Sequence, residues 1–289
     1  MELLITHVTR MARGFCCVAG LTRGDYHHVR PVLGGQRLTT DLLAPVGPFD
    51  MRAIVELGRV HDLGQRPPEL EDHLFRPENS RRIGYAAPER MWELLDSAAS
   101  DSLYEIFGEE LEHHSERASV PLLSGRASLG TYRPMLGCQF VVRSEGDHKS
   151  LRVRLPGEAL DLSVTDARFF EDEYQRPRMD RIAAVREALD AGEPVILGVG
   201  LTRPFKSAED KAERHWLQVN AIHVRSLAGM RLEGLTAQRG RRPWGRAASS
   251  GGDWVRRGRV RRRPGGAVRF GPRARVPCVR AGSAPGHRR

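Results

Sequence analysis

Three of the arginines that stand directly before prolines fall at expected strand ends: Arg30-Pro31, Arg133-Pro134 and Arg203-Pro204. Proline fixes the backbone beside it, so an arginine held there loses less freedom when its planar guanidinium grips a phosphate, a base edge or a carboxylate. Arg30 and Arg203 are the first candidate ligand contacts, and salt bridges to the chain's own acids are the competing use. Gln218 and Asn220 flank Val219, and their amides have the geometry to read a base edge through paired hydrogen bonds. Ordinary edge-strand hydrogen bonding would occupy them equally well.

The other reactive side chains point less clearly to chemistry. Cys16 and Cys17 are adjacent, so a strand would aim them to opposite faces, and buried structural thiols are the default over a Cys–His nucleophile. With Cys138 and Cys278 they form no CxxC and no disulfide ladder, which fits a reducing, cytoplasmic setting. His27-His28 and His113-His114 are neighbours in sequence and lack the spacing metals prefer, so no metal and no cofactor is implied. His7, His215 and His223 flank apolar runs. Glu71-Asp72 and Glu171-Asp172 could be catalytic carboxylates, but solvated loop charges are the commoner use.

The elements that must position these residues are mostly strands. Short apolar runs at 3–8, 15–21, 29–33 and 53–57, punctuated by Gly, Pro and Asp, suggest a small barrel, with Pro31 marking an edge or strand end. Residues 87–99 have helical spacing and Pro88 in the first turn, and 102–107 suggest a further short helix. Strands resume at 138–143, 150–155 and 160–164, with a turn at Gly146-Asp147. Residues 178–191 form the clearest helix, closed by Gly192. Residues 194–201 then read as a buried strand and 216–224 as an alternating one. On the latter, Leu217, Val219, Ala221 and His223 share the expected core face, opposite Trp216, Gln218, Asn220 and Ile222. The tetrad Gly20-Leu21-Thr22-Arg23 is echoed by Gly200-Leu201-Thr202-Arg203, as two related barrels or chance would give.

Charge divides the chain sharply. Residues 225–289 hold 18 arginines, no lysine and two acids, whereas residues 1–224 hold 28 basic and 34 acidic residues, a net charge of −6. The overall +10 is thus a property of the C-terminal segment, and a nucleic-acid reading of the whole chain from its charge would be misplaced. That segment lacks periodicity and apolar content, so disorder is expected. A basic arm neutralising phosphates is one reading. The composition favours the other, an out-of-frame translation of GC-rich DNA. The N-terminus shows no signal-peptide pattern, and no apolar run is long enough to span a membrane.

An ordered set of segments resembles the dual OB-containing domain family: ITHVTRM (5–11), CVAGL (17–21) with VRPVL (29–33), PPELED (67–72), DLSVTDARFF (161–170), GLTRPF (200–205) and HWLQVNAIHV (215–224). The resemblance covers residues 1–225. It implies two small OB-type barrels in a module of prokaryotic conflict or signalling systems, thought by fold analogy to sense nucleic acid or a nucleotide-like ligand. Thr9, Arg10, Arg30, Pro31, Asp72, Asp166, Arg203, Trp216, Gln218 and Asn220 match its pattern. The net acidity is poor for a phosphate-tracking surface, and no nuclease, TIR or NTPase segment is attached.

The expected architecture is mainly β with α insertions: OB-like barrels at 1–63 and 125–224, a linker and helical insertion at 64–124, and a disordered tail at 225–289. The expected function is non-catalytic recognition of single-stranded nucleic acid or a nucleotide-like ligand. Arg10, Arg30 and Arg203 would supply charge, Trp216 a stacking face, and Gln218 and Asn220 polar readout. The alternatives are a hydrolase or nucleotide-modifying enzyme using His and acid residues, which would gather His7, His28 or His215 with Asp72 or Asp166, and a scaffold for a separately encoded effector protein.

Overall fold

The computed structural model describes residues 1–11, 14–63, 66–145, 148–171, 176–206 and 212–232. The turn expected at Gly146-Asp147, the acid Asp172 and the arginine-rich segment from residue 233 lie outside the described residues.

The chain is mainly β. Strand β1 (Glu2–Arg10) runs antiparallel to β2 (Phe15–Thr22), which also pairs with β3 (His28–Val32) and the two-residue β4 (Leu38–Thr39). With β5 (Ala53–Glu56), β6 (His61–Asp62), β7 (Asp72–Leu74) and β8 (Arg81–Tyr85), these form an eight-stranded sheet in the order β6-β7-β3-β2-β1-β5-β8, with β4 off that path on β2. Helices α1 (Pro88–Ala98) and α2 (Leu103–Phe107) follow, then β9 (Glu112–His114), β10 (Arg117–Pro121) and β11 (Leu129–Tyr132). Strands β12 (Gln139–Glu145), β13 (His148–Leu155) and β14 (Leu160–Ser163) make a three-stranded antiparallel sheet. Helix α3 (Met179–Asp190) leads to β15 (Val195–Leu201) and β16 (Arg214–Val224), which complete a five-stranded sheet in the order β11-β15-β16-β10-β9.

Patterning explains most of this. In α1, Pro88 occupies the first turn, where its missing N–H costs nothing, and Met91, Trp92 and Leu95 are buried. In α3, Ile182, Val185 and Ala188 face inward, and the helix gives way to Gly192 at a φ of 77°, a conformation glycine adopts without strain. The three-stranded sheet alternates cleanly: Phe140, Leu151, Val153, Leu155, Leu160 and Leu162 are buried, and Arg143, Arg152 and Arg154 belong to the opposite set. β1 and β15 are buried on both faces, and one hydrophobic cluster joins all three sheets, from Leu3 through Phe169 and Val219 to Leu232.

Four placements differ from the sequence reading. β3 lies inside the sheet, yet Pro31 fits, because pairing with β2 ends at Val29 and the flanking residues carry the bonds to the β7 side: Arg30 N to Glu71 O at 2.8 Å and Phe75 N to Val32 O at 3.2 Å. The 64–124 stretch is more than an insertion, since β7 and β8 join the first sheet and β9 and β10 the five-stranded one. β16 is internal and buried on both faces, so Trp216, Asn220 and Ile222 are covered as well as Leu217, Val219, Ala221 and His223. A bulge at Gly198/Val199 interrupts its pairing with β15.

The fourth concerns the boundary at residue 224. Arg225–Leu227 form a 3-10 turn, Ala228 and Leu232 are buried, and backbone groups of this stretch are bonded to the domain: Leu232 N to Asp50 Oδ1 (2.9 Å), Ser226 N to Glu193 Oε2 (3.1 Å), and Arg181 Nη1 to Arg231 O (2.7 Å). The packed chain therefore runs eight residues past the strand that sequence patterning made its end. A protein stopped after Val224 should be about 2–4 kcal/mol less stable in urea denaturation than one stopped after Leu232, from lost leucine burial and the bond to Asp50. Equal midpoints would refute this role for residues 225–232.

Candidate functional site

Strand alternation gathers the polar residues of the first sheet on one face. Thr9 pairs with Cys17 and His7 with Ala19 across β1 and β2, and Arg30 pairs with Asp72 across β3 and β7. This face meets the five-stranded sheet, and its charges are answered there. The Asp72 carboxylate accepts from Arg30 Nε on one oxygen and from Arg203 Nη2 (2.6 Å) on the other, while Arg203 Nη1 lies 2.5 Å from Glu69 Oε1. Neighbouring Glu71 accepts from Ser128 N (2.9 Å), Ser128 Oγ (2.7 Å) and Leu129 N (3.2 Å) at the start of β11. Burial raises the pKa of Glu71 against the pull of Ser128 and Arg30.

The structure thus brings Arg30 and Arg203 together on a carboxylate of the chain itself, the use that competed with ligand contact in the sequence. Arg30 is 5 % exposed. Such a buried charge is committed to its partner, since an unpaired ion in the interior is costly. Asn220 is likewise enclosed: its Oδ1 accepts from Gln218 Nε2 (2.9 Å) and Thr165 Oγ1 (3.2 Å). Gly200 makes room for it, because a Cβ there would stand 2.1 Å from Asn220 Nδ2. Arg10 lies over the Phe170 ring at 3.8 Å, with its backbone N–H bonded to Thr165 O. None of Arg10, Arg30, Arg203, Gln218 and Asn220 lines the polar cleft described below.

The histidines of the sheet interface are structural in their contacts. His7 Nδ1 meets Thr6 Oγ1 at 2.8 Å, His28 Nε2 meets Thr131 Oγ1 at 3.0 Å, and the two rings sit edge to face at 5.8 Å. His223 Nε2 reaches Thr6 O at 3.1 Å, and His215 Nδ1 reaches Thr202 O at 2.9 Å. Asp166 is engaged by Arg168 and by Ile222 N. The gathering of histidine with Asp72 or Asp166 that hydrolytic chemistry would use is therefore not among the hydrogen bonds of the described residues. Burial pushes the Cys16 and Cys17 thiols up, against an opposing pull on Cys17 from Arg30 and Arg203, and holds Cys138 up at about 12. Among the described residues no cluster of three His, Cys, Asp or Glu is arranged to hold a metal ion.

A different group converges on open space. The β9–β10 hairpin turns through Ser115 and Glu116, with Ser115 at a φ of 56°, and pairs His114 with Arg117. Ser119, two residues on, pairs with Trp216 of β16. His114, Arg117 and Trp216 therefore share a face, and a cleft of about 300 Å³ opens between them and Arg143 and Arg152 of the three-stranded sheet, with Ser115 and Glu116 also lining it. A backbone bond from Asp161 N to Glu116 O (2.8 Å) ties the walls together. Asp161, 3 % exposed, organises the arginines: Arg152 Nε is 2.7 Å from one carboxylate oxygen, and Arg143 Nη2 and Arg154 Nε (3.3 Å) engage the other. Arg152 Nη1 also donates to Ser163 Oγ at 2.5 Å. On the opposite wall His114 Nε2 is 2.9 Å from Ser119 Oγ, which accepts from Arg214 Nε at 2.6 Å. Among the described residues the buried Trp216 indole N–H has no hydrogen-bond partner.

Of the nominated residues only Trp216 belongs to this cleft. The sequence reading missed Arg117, Arg143 and Arg152, and weighed His114 only as a metal ligand, because these residues come from hairpins brought together by tertiary packing. A faint signal existed in the alternating arginines Arg152 and Arg154 of β13 and in the carboxylate opposite them. The chain matches no protein-family model and no curated protein.

Desolvation of the buried His7 and the half-buried His28 makes stability pH-dependent. Burial and the neighbouring His28 hold His7 down at about 3, and burial holds His28 down at about 4. Both would protonate near pH 6.5 in the unfolded chain, so below that pH the unfolded state binds more protons and stability falls. The expected loss between pH 6.5 and 4 is at most roughly 1.4 kcal/mol per pH unit for each histidine, with none above about pH 7.5. Urea denaturation at about pH 7 and pH 5 should show a steeper loss for the wild type than for a His7→Gln/His28→Gln variant. Parallel losses would refute the assignment.

Proposed function

We propose that the domain is a recognition module for a nucleotide-like ligand, bound in the cleft between the β9–β10 hairpin and the three-stranded sheet. One observation carries the reading: three arginines, Arg117, Arg143 and Arg152, line one concave site together with the indole of Trp216. Arginine is suited to phosphate because its planar donors bind oxygens in pairs, and an indole offers a base a stacking surface. Asp161 answers Arg143, Arg152 and Arg154 with one negative charge, and Glu116 adds a second, more distant one, 3.7 Å from Arg143. The arginines are held in place by these contacts, so a bound anion would meet donors that have already lost much of their freedom.

The size of the cleft favours a small ligand over an extended strand. About 300 Å³ is at the lower end of small-molecule sites. Strand-tracking proteins use successive aromatic platforms, whereas Phe205, 46 % exposed, is the large exposed aromatic that neighbours Trp216, its ring 6.4 Å away. Single-stranded nucleic acid is the second reading, supported by the line of Arg152 and Arg154 on the outer face of β13 beside Arg143. The resemblance to the dual OB-containing domain family points toward the same ligand classes.

The test compares full-length wild type with an Arg143→Gln/Arg152→Gln variant, so that the C-terminal arginines contribute equally to both. Titrated calorimetrically with adenosine 5′-monophosphate at low salt, the variant should bind about 10- to 100-fold more weakly, the loss expected from two charge-assisted contacts. Unchanged affinity would remove the cleft as the site.

A further inference from the structure

The β8 edge of the eight-stranded sheet carries a second cluster of arginines, assembled from three segments. Arg52 stands in the turn before β5, Arg82 and Tyr85 belong to β8, and Arg231 follows the 3-10 turn after β16. The Arg231 guanidinium lies 4.4 Å from the centre of the Tyr85 ring, and that of Arg82 lies 5.2 Å from it. Tyr85 is 36 % exposed and the three arginines are half-buried, so the cluster meets solvent. Neighbouring arginines are answered within the chain, Arg81 by Glu56 (2.7 Å) and Arg90 by Glu93 (3.0 Å). Among the described residues no ion pair answers Arg52, Arg82 or Arg231, and Arg52 Nε and Arg82 Nη1 are buried without a hydrogen-bond partner. The carboxylate of Asp50 is occupied by Met51 N (2.8 Å), Leu232 N (2.9 Å) and the Tyr85 hydroxyl (3.0 Å).

Arg52 bears several costs at once. Its φ of 66° lies in the left-handed region, which glycine adopts freely and arginine does not. Burial and then the nearby Arg231 disfavour its charged form and hold its pKa below the ordinary guanidinium value, against the pull of Asp50 and Glu89. Strain of this kind concentrates at ligand sites, where a bound group repays it.

We propose that Arg52, Arg82 and Arg231 form an anion site for a phosphate group, free or carried as a monoester on a small molecule. Three guanidiniums offer paired donors to phosphate oxygens, and a doubly charged anion offsets the repulsion among them. The same anion supplies acceptors for the orphaned Nε of Arg52 and Nη1 of Arg82. A guanidinium resting beside a ring keeps its N–H groups available, so Tyr85 can hold Arg82 and Arg231 in place without using their donors. The site also gives residues 225–232 a role beyond stability, because their packing brings Arg231 to the ring. None of its residues lines the cleft at Trp216, so the two sites stand or fall separately.

The experiment follows thermal unfolding of the full-length protein by circular dichroism, in phosphate and in chloride at equal ionic strength. It compares wild type, Arg52→Gly, Arg82→Gln and the cleft variant Arg143→Gln/Arg152→Gln. About 10 mM phosphate should raise the wild-type midpoint by about 3–6 °C, as a ligand at roughly ten times its dissociation constant would. Arg52→Gly and Arg82→Gln should each lose at least half of that rise, and the cleft variant should keep it. In chloride, Arg52→Gly should unfold within about 2 °C of wild type or later, since glycine accepts the left-handed backbone and an unanswered charge is gone. Repeating the measurement with adenosine 5′-monophosphate in the cleft variant separates the sources: a rise with inorganic phosphate alone assigns the free ion, and a rise with the monophosphate assigns the ester. The site is overturned by a rise that either arginine substitution leaves intact, or by no rise with either ligand. A rise lost only in the cleft variant would overturn it too, by moving the phosphate to Trp216. Arg52→Gly melting well before wild type in chloride would do the same, by showing that the guanidinium is satisfied within the fold.

Discussion

The carboxylate of Asp72 is the hinge of the architecture. It sits on the short strand β7 and accepts guanidiniums from both sheets: Arg30 from the neighbouring strand of its own, and Arg203 from the end of β15. Two sheets that meet through polar faces lose stability for each buried donor or acceptor left unanswered across the seam. Asp72, Glu71 and Asp166 supply the answer at three places. Glu71 holds the start of β11, and Asp166 binds Arg168 and the backbone of Ile222 in β16. This requirement makes the described chain one packed body with one continuous hydrophobic cluster.

The same requirement explains why the sequence was legible in its elements and partly illegible in its site. Apolar periodicity marks α1 and α3, and the alternation of β12, β13 and β14 is written in their side chains, because both depend on near neighbours. Arg30 and Arg203 stand out in the sequence because proline stiffens the backbone beside each. Their use could not be read, because Asp72 lies 42 residues from one and 131 from the other. Strands β7 and β9 have three residues each and carry charge or histidine, so no hydrophobic signal announces them. Their places come from the strands they complete.

Trp216 shows how an internal strand misleads. Alternation placed Trp216, Gln218 and Asn220 on an outward face, but β16 is covered on both sides and bulged opposite Gly198 and Val199. What reaches the solvent beside Trp216 is a hairpin tip and the arginine face of a separate sheet. The residues able to meet a ligand are therefore set by packing between sheets, and the order of residues along β16 does not reveal them.

The close approach at Gly198 reaches beyond this one molecule. A Cβ at that position would stand 2.4 Å from His7 Nε2, so the imidazole occupies space that only glycine leaves open. Positions 7 and 198 are consequently coupled in any lineage that carries this fold. A larger residue at 198 needs the His7 ring to give way, and meets the Ala221 Cβ at 3.0 Å as well, whereas position 7 can shrink first at the cost of a cavity. Substitution is therefore easier in one order through this pair, with position 7 shrinking before position 198 grows.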